Sequence, residues 1–218
     1  MTGILQAILM GYGAAGGGAL TIGQAYGGGF YAGQISTAGN SIADYNLVVG
    51  PVSSAENASI QWKDANTATT GADSVIDGPQ NTADIVADGN STVYPAAHFC
   101  NNLVIGGFSD WYMPAKNELE ICYYNLKPNT TSNTTSIGAN PNAVPARASN
   151  YTAGTPAQTS ATDFRLPSGA EAFAANNYWS STENSTTTAW RQYFGGGYQY
   201  GNAKLNSLRV RAIRRIPV

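Results

Sequence analysis

A glycine turn, a run of aromatic residues and a proline-led helix start follow one another in residues 106–119, which read Gly106-Gly107-Phe108-Ser109-Asp110-Trp111-Tyr112-Met113-Pro114-Ala115-Lys116-Asn117-Glu118-Leu119. Pro114 suits the first turn of a helix, because the N–H that it lacks would have no intrahelical partner there. A helix is therefore predicted over residues 114–126, ended by Lys127-Pro128. Its apolar face has helical spacing and consists of Leu119, Cys122, Tyr123 and Leu126.

The residues around this stretch predict further short elements. A second helix is expected over 95–103, with Pro95 at its start and Gly106-Gly107 after its end. Two strands, within residues 22–35 and 45–51, are expected to pair through a short polar turn. Residues 66–90 are polar and irregular, with room for a short helix at 82–87. Few helices among many short strands predict an α+β fold.

Composition limits the kind of protein that this chain can be. Hydrophobic residues make up 43% of its 218 residues, enough for a sizeable core in one large domain or two small ones. Charged residues make up only 11%, well below the usual quarter, so a loop-rich domain with many turns is expected. The formal net charge of −2 gives no overall indication of a nucleic-acid partner.

Basic residues are concentrated at the C-terminus. No acidic residue follows Glu183, whereas the basic residues after it are Arg191, Lys204, Arg209, Arg211, Arg214 and Arg215. One interpretation is that they pair with carboxylates elsewhere and close the domain; Glu118 is one candidate partner. The alternative is a phosphate-binding patch. Asp110 is expected to cap or pin the turn before Trp111.

The chain is divided into a glycine-rich N-terminal lead-in at 1–21 and a ligand-binding domain at 22–218. Within the domain, the polar residues 128–165 are predicted to form a long surface insertion. The N-terminus lacks a basic region before its apolar residues and is broken by glycines, so neither a signal peptide nor membrane insertion is expected. The glycine-rich stretch after residue 22 has no Lys-Ser/Thr and is interpreted as turns, not as a phosphate cradle.

The sequence contains few residues of the types that catalyse reactions or bind metal ions. His98 is the single histidine, and its place in a helix pattern favours a half-buried, hydrogen-bonded role. Cys100 and Cys122 are expected to be buried thiols, with one disulfide as the alternative. No spacing of histidine, cysteine or acidic residues suits a metal ion. We therefore expect no enzyme activity, no cofactor and no metal.

The last forty residues alternate two kinds of side chain. If residues 190–194 form a strand, Trp190, Gln192 and Phe194 share one face, and Arg191 and Tyr193 share the other. Tyrosine and arginine are favoured at recognition surfaces, because they combine a large contact area with a polar end. The alternation predicts a binding surface on a rigid core. The alternative is that the tyrosines only shield a sheet edge.

Two blocks together resemble a large family of bacterial and viral domains with the C-type lectin fold. The first is Cys100-Asn101-Asn102-Leu103 with residues 106–119, although Tyr112-Met113 stands where the family often has Arg-Leu. The second comprises Tyr178-Trp179-Ser180-Ser181-Thr182-Glu183, Ala189-Trp190, Phe194, Gly197 and Val210-Arg211. The resemblance covers about residues 22–218 and implies a C-type lectin fold with short strands, two helices and long surface loops.

Within that family, residues 178–218 resemble the variable region of proteins diversified by retroelements, in which adenine-directed copying alters surface codons. The resemblance implies a hypervariable ligand-binding set at Arg191, Tyr193, Gly195, Gly196, Tyr198, Tyr200, Gly201, Asn202, Ala203, Leu205, Ser207 and Leu208. It implies a framework of Trp179, Ala189, Trp190, Phe194, Gly197, Gln199, Lys204, Asn206, Val210 and Arg211.

By the same resemblance, the partner is expected to be a protein or glycan receptor on a host cell surface. The expected location is a virion tail fibre or a cell surface, with homo-oligomerisation possible. The residue patterns of a calcium-dependent sugar site are absent, so any sugar would be bound by aromatic stacking and hydrogen bonds. Two alternatives remain: a bacterial surface adhesin or carbohydrate-binding domain with a fixed ligand, and an enzyme related to the lectin-like formylglycine-generating proteins.

Overall fold

A computed structural model describes residues 19–218 of the chain, so the predicted lead-in lies almost entirely outside the described residues. In chain order the elements are β1 (Ala25–Tyr26), β2 (Gly29–Ile35), β3 (Tyr45–Val49), α1 (Val52–Ala55), β4 (Glu56–Gln61), α2 (Gly78–Asp88), α3 (Pro95–Asn101), α4 (Lys116–Leu126), β5 (Ala143–Val144), a 3-10 helix (Thr162–Phe164), β6 (Asn177–Ser185), β7 (Thr188–Tyr193), β8 (Gln199–Ala203), β9 (Ser207–Arg211) and β10 (Ile213–Pro217). The predicted α+β class is confirmed.

The strands form two sheets. The first has the order β1-β2-β3-β10, with β5 also paired to β2, and the second has the order β4-β9-β6-β7-β8. The predicted pairing of the first two long strands is confirmed, because β2 and β3 are antiparallel neighbours. Ala212 joins the sheets between β9 and β10: its N–H donates to the Ala55 carbonyl (2.9 Å), and its carbonyl accepts from Gly50 (3.0 Å). The C-terminal residues therefore belong to both sheets.

The described residues contain four α-helices, so the prediction of two was too low. The larger omission is α2, of which only 82–87 was expected. The Asp77 carboxylate accepts from the Gln80 N–H (3.3 Å), and Pro79 lies in the first turn of α2. The Asp-Gly-Pro sequence is therefore a capped helix start, although the same residues are equally typical of a turn. Helices α3 and α4 lie where they were predicted.

Two apolar clusters form the core. In the first, the predicted face of α4 packs against β2, β3 and the aromatic residues Phe164, Phe173 and Phe194. The second surrounds Trp62, Trp111 and Trp179. All six of these aromatic side chains are at most 2% exposed. Full burial of one such side chain contributes about 1.5–3 kcal/mol, so these two clusters dominate the stability of the fold.

The segment 128–165 is more than a surface insertion. Its Asn140 and Tyr151 are buried, and both donate hydrogen bonds to the Glu120 carboxylate of α4. Asn142 is also buried and donates to the Ser36 carbonyl (2.8 Å) at the end of β2. The polar composition predicted a surface segment because asparagine is usually exposed. Here the asparagine amides are buried, and they form hydrogen bonds with buried polar groups of the surrounding backbone.

Candidate ligand-binding face

Strands β7 and β8 form a hairpin that brings the predicted contact residues together. Tyr193 donates its N–H to the Tyr198 carbonyl (2.8 Å), and Gly197 donates to the Tyr193 carbonyl (2.7 Å), which closes the turn. Along the hairpin Arg191 lies opposite Tyr200. Side chains two residues apart on a strand project to the same side, so Arg191, Tyr193, Tyr198 and Tyr200 share one surface. We call these four residues the tyrosine face.

The tyrosine face is open to solvent. Tyr200 is 58% exposed, and Tyr193 and Tyr198 are each 36% exposed. The Tyr198 and Tyr200 rings stack with centroids 5.8 Å apart and an interplanar angle of 17°. Such a flat aromatic surface can contact a protein side chain or a sugar ring.

Arg191 supplies the positive charge of the tyrosine face. Its guanidinium lies 5.9 Å from the centre of the Tyr198 ring and donates to the Asn177 side chain. Partial burial lowers the pKa of Arg191, although an arginine keeps its proton at neutral pH. Arg191 forms no ion pair with any carboxylate of residues 19–218. Its charge is therefore available to a ligand.

Buried side chains on the side opposite the tyrosine face stabilise the hairpin. Phe194 stacks on Phe173 with ring centroids 4.0 Å apart, and Gln192 donates to the Gly197 carbonyl (2.8 Å). Gly197 has φ +79°, and a Cβ there would lie 2.5 Å from the Tyr123 ring, so only glycine fits without movement. None of these contacts involves an exposed side chain of the tyrosine face. The hairpin can therefore keep its shape while those side chains change.

The polar segment 128–165 also supports the turn. Thr134 donates its N–H to the Gly196 carbonyl (2.9 Å). The buried Asn133 accepts from the Tyr123 hydroxyl (2.6 Å) and donates to the Pro156 carbonyl (2.9 Å). This role could not be predicted from local sequence patterns, because the contacts join residues that are far apart in the chain.

The other predicted contact positions differ in how exposed they are. Leu205 is 41% exposed and Ser207 is exposed, whereas Gly201, Asn202 and Ala203 are half-buried. Asn202 accepts a hydrogen bond from Asn206 (2.6 Å), which braces the turn between β8 and β9. Leu205 and Ser207 can therefore extend the contact surface along this turn.

Three predicted contact positions are not displayed. Gly195 and Gly196 are buried, because they lie in the tight turn. A Cβ at Gly195 would be 2.4 Å from the Tyr193 ring, and one at Gly196 would be 3.3 Å from the Ser132 carbonyl. Leu208 is half-buried and packs against the tryptophan cluster. These positions shape the surface from beneath and have little area to offer a ligand.

The predicted framework is mostly internal. Trp190 and Gln199 are half-buried; Lys116 lies 4.3 Å from the Trp190 ring centre and accepts from Gln199 through its carbonyl (3.1 Å). Asn206 is exposed and belongs to the turn between β8 and β9. The buried members are Trp179, Ala189, Phe194, Gly197, Lys204, Val210 and Arg211.

Lys204 holds the base of β8 and β9. Its fully buried ammonium donates to the Thr67 carbonyl (2.6 Å), to the Thr186 carbonyl (3.0 Å) and to the Glu183 carboxylate (2.9 Å). Burial lowers the pKa of Lys204, while Glu183 opposes that effect. One side chain thus fastens two loops to the second sheet.

The prediction that C-terminal basic residues pair with carboxylates is confirmed for five of the six, and Arg191 is the exception within residues 19–218. Arg209 pairs with Glu56 (2.6 Å), and Arg211 pairs with Glu171 (2.8 Å). Arg215 pairs with Glu118 (2.7 Å), the partner that the sequence suggested. Arg214 forms two hydrogen bonds to Asp110 (2.8 Å each), so Asp110 binds an arginine instead of capping its turn.

The three side chains that were considered for catalysis, those of His98, Cys100 and Cys122, are all buried or half-buried. His98 is half-buried and its Nε2 lies 2.7 Å from the Gly89 carbonyl. Cys100 and Cys122 are free and buried, and burial raises the pKa of both thiols. Within residues 19–218, no group of three or more histidine, cysteine or acidic side chains is placed to hold a metal ion. In the same range no helix has the length and apolar character to cross a bilayer.

Clefts lie elsewhere on the molecule. One of about 270 Å³ is lined by Asp110, Trp111 and Arg215. Another, of about 290 Å³, is lined by Tyr124, Arg147 and other residues of 147–155. Neither includes a residue of the tyrosine face, which is an open surface suited to another macromolecule or to an extended glycan.

Comparison with known protein families identifies a match for most of the chain. No curated protein matches the chain. The family model described as the Lcl C-terminal domain matches residues 53–214, from α1 to β10. The match includes the whole of the β7–β8 hairpin and the buried residues that support it. The chain belongs to the family of Lcl C-terminal domains.

Proposed function

We propose that this chain is a ligand-binding protein without enzyme activity, and that its tyrosine face contacts a protein or glycan receptor on a host cell surface. Membership of the Lcl C-terminal domain family favours a variable, ligand-binding protein of tail-fibre-like character. The location proposed is accordingly a tail-fibre tip or a cell surface. The scaffold proposed is a C-type lectin fold.

One observation carries the proposal. Tyr198 and Tyr200 are exposed and stacked, while the turn beside them is fixed by Phe194, Gly197 and main-chain hydrogen bonds. Contiguous exposed patches of large apolar side chains on a folded surface often mark interaction sites. Aromatic and arginine side chains dominate the energy of many recognition surfaces.

The binding role is testable with the chain as it exists. The fluorescently labelled protein is applied to a panel of intact bacterial cells and to arrayed glycans. Tyr200→Ala and Arg191→Ala are expected to lower adsorption to any positive member at least about tenfold. Ile42→Ala removes a side chain that is 68% exposed and lies outside the tyrosine face, so it should leave adsorption unchanged. Equal adsorption by all three variants would contradict the proposal.

Diversification of the face is a separate part of the proposal. The exposed positions of β7, β8 and the following turn are proposed to be the exchangeable set, with Leu205 and Ser207 extending the tyrosine face. The test is to sequence the DNA that flanks this gene. A reverse-transcriptase gene and an imperfect repeat of the 3′ end, differing where the repeat has adenine, are expected. Their absence would favour a bacterial adhesin with a fixed ligand, for which the same flat Tyr198–Tyr200 stack could contact a sugar.

A further inference from the structure

Strand β8 ends its sheet with an unprotected edge. It pairs with β7 alone, and none of its five residues is buried. An open edge presents unpaired N–H and C=O groups to any other strand, and proteins usually block such edges with charges, proline, bulges or short strands. The sequence of β8, Gln199–Ala203, contains no charge and no proline, and its pairing with β7 has no bulge.

The other described edges are all blocked. Strands β1 and β5 are two residues long. Strand β10 carries Arg214, Arg215 and Pro217. Strand β4 has an irregularity between Asn57 and Ile60. Since the fold blocks each of these edges by a recognised device, the openness of β8 is a specific feature of this strand.

The hydrogen bonds of the hairpin decide which groups of β8 point outward. Tyr193 donates to the Tyr198 carbonyl, and Lys204 donates to the Thr187 carbonyl, so these are hydrogen-bonded pairs. In an antiparallel ladder such pairs alternate with pairs that make no bonds to each other. Tyr200 and Asn202 therefore bond to β7. Gln199, Gly201 and Ala203 direct their N–H and C=O groups away from it.

This outward pattern is complementary to itself. A two-fold axis at Gly201 would pair Gly201 with Gly201 of a second copy, and Gln199 with Ala203 of that copy. Each pair would exchange two bonds, but the Ala203 carbonyl already accepts from the Asn206 N–H (2.9 Å). Two of the bonds would therefore share that carbonyl, and about four would join otherwise outward-facing main-chain groups. Glycine at the axis leaves the centre of the pairing free of side chains. Because β8 is uncharged, pairing two copies also brings no like charges together.

We propose that two copies of this chain pair antiparallel through their β8 edges, forming one continuous sheet. The pairing would place the two tyrosine faces side by side, so that a ligand with repeated epitopes could contact both. Because main-chain groups make the contact, the pairing does not depend on the identity of the tyrosine-face side chains. It also does not depend on the proposed receptor.

Sedimentation of the full chain from about 1 µM to about 1 mM is the first test, since weak specific contacts have dissociation constants within this range. A monomer–dimer equilibrium is expected. Ala203→Pro removes one outward N–H without removing a bond to β7, and its neighbour Asn202 is already extended, as proline requires. This variant should raise the dissociation constant at least about tenfold, whereas the control Ala203→Ser, which keeps the N–H, should not change it.

A cysteine pair tests the register and remains informative if Ala203→Pro fails to fold. The double variant Gln199→Cys/Ala203→Cys places a thiol opposite a thiol across the axis, within the Cα separation that a disulfide accepts. It should form a cross-linked dimer on mild oxidation. Each single variant separates the two thiols by about four residues along the strands, roughly 13 Å, and should remain uncross-linked.

Several outcomes would overturn the proposal. One is a wild-type chain that is monomeric at about 1 mM, which would leave the edge to a different polypeptide. Another is an oligomer of any size that the double cysteine variant does not cross-link. A third is a monomer whose Gly201 amide is protected from hydrogen exchange until residues 1–18 are deleted, which would assign the edge to that segment. Loss of receptor adsorption in Tyr200→Ala with an unchanged dimer would leave this proposal intact, so the two proposals fail separately.

Discussion

Replacing Lys204 by methionine tests how strongly the framework depends on one buried charge. The ammonium is fully buried and bonds to the Thr67 and Thr186 carbonyls and to Glu183, whose side chain is 14% exposed. Methionine preserves the volume of the stem and removes only the charge and the donors. The substitution thus isolates the polar contacts from the packing.

The expected cost follows from those contacts. Removing one partner of a buried ion pair costs about 3–5 kcal/mol, because the other charge is left without compensation. Partial exposure of Glu183 lets water solvate the carboxylate, and Lys63, which shares the Thr67 carbonyl at 3.4 Å, is relieved of a like-charge neighbour. Both effects reduce the loss. We expect Lys204→Met to lower the free energy of unfolding by about 3 kcal/mol.

Urea unfolding followed by circular dichroism measures this change. In the double variant Lys204→Met/Glu183→Gln the remaining partner is neutral, so we expect recovery of at least about 1 kcal/mol relative to the single variant. A loss below about 1 kcal/mol for Lys204→Met, the typical value of a surface pair, would refute the argument that this lysine fastens the loops. So would a double variant that is less stable than the single one.

Three further predictions concern the scaffold. Gly197→Ala combines a left-handed backbone with a Cβ 2.5 Å from the Tyr123 ring, so urea unfolding should show a loss of about 2–4 kcal/mol; a loss below 1 kcal/mol would contradict this. Burial raises the pKa of Glu118, so its contribution to stability is present below its unfolded pKa of about 4.3 and is lost as pH rises through the folded value. Unfolding free energies measured between about pH 4 and 6 should therefore fall less in Glu118→Gln than in the wild type, and equal slopes would contradict the shift. Cys100 and Cys122 should react with an aromatic disulfide reagent only after unfolding, and rapid labelling of the folded chain would show that one of them is accessible.

Local sequence signals predicted local structure well. Pro114 and the spacing of Leu119, Cys122 and Leu126 predicted α4, whose apolar face is buried as expected. The alternation of residues 190–194 predicted a strand, and β7 covers most of that range. These signals succeed because capping and periodicity depend on residues within one or two turns of each other.

Contacts between residues far apart in the chain could not be predicted from local sequence patterns. Asn133 and Asn140 lie in a polar segment, and only the folded chain shows that they bond to buried groups of α4 and of neighbouring loops. The burial of Gly195 beneath the Tyr193 ring depends on the tightness of a turn that its sequence does not specify. The alternation of residues 190–194 assigned Arg191 and Tyr193 to one face of a strand, whereas Tyr198 and Tyr200 were assigned to the contact set by the resemblance of residues 178–218 to a variable region.

The central claim is that the tyrosine face serves binding and not folding. The most direct test is the triple variant Tyr193→Ala/Tyr198→Ala/Tyr200→Ala, measured both for unfolding free energy and for adsorption to a cell or glycan that binds the wild type. We predict a loss of stability below about 2 kcal/mol together with a loss of adsorption of at least about 100-fold. Tyr178→Ala is the matched control, because that buried tyrosine should cost about 3–5 kcal/mol. A triple variant that unfolds, or one that adsorbs like the wild type, would contradict the account.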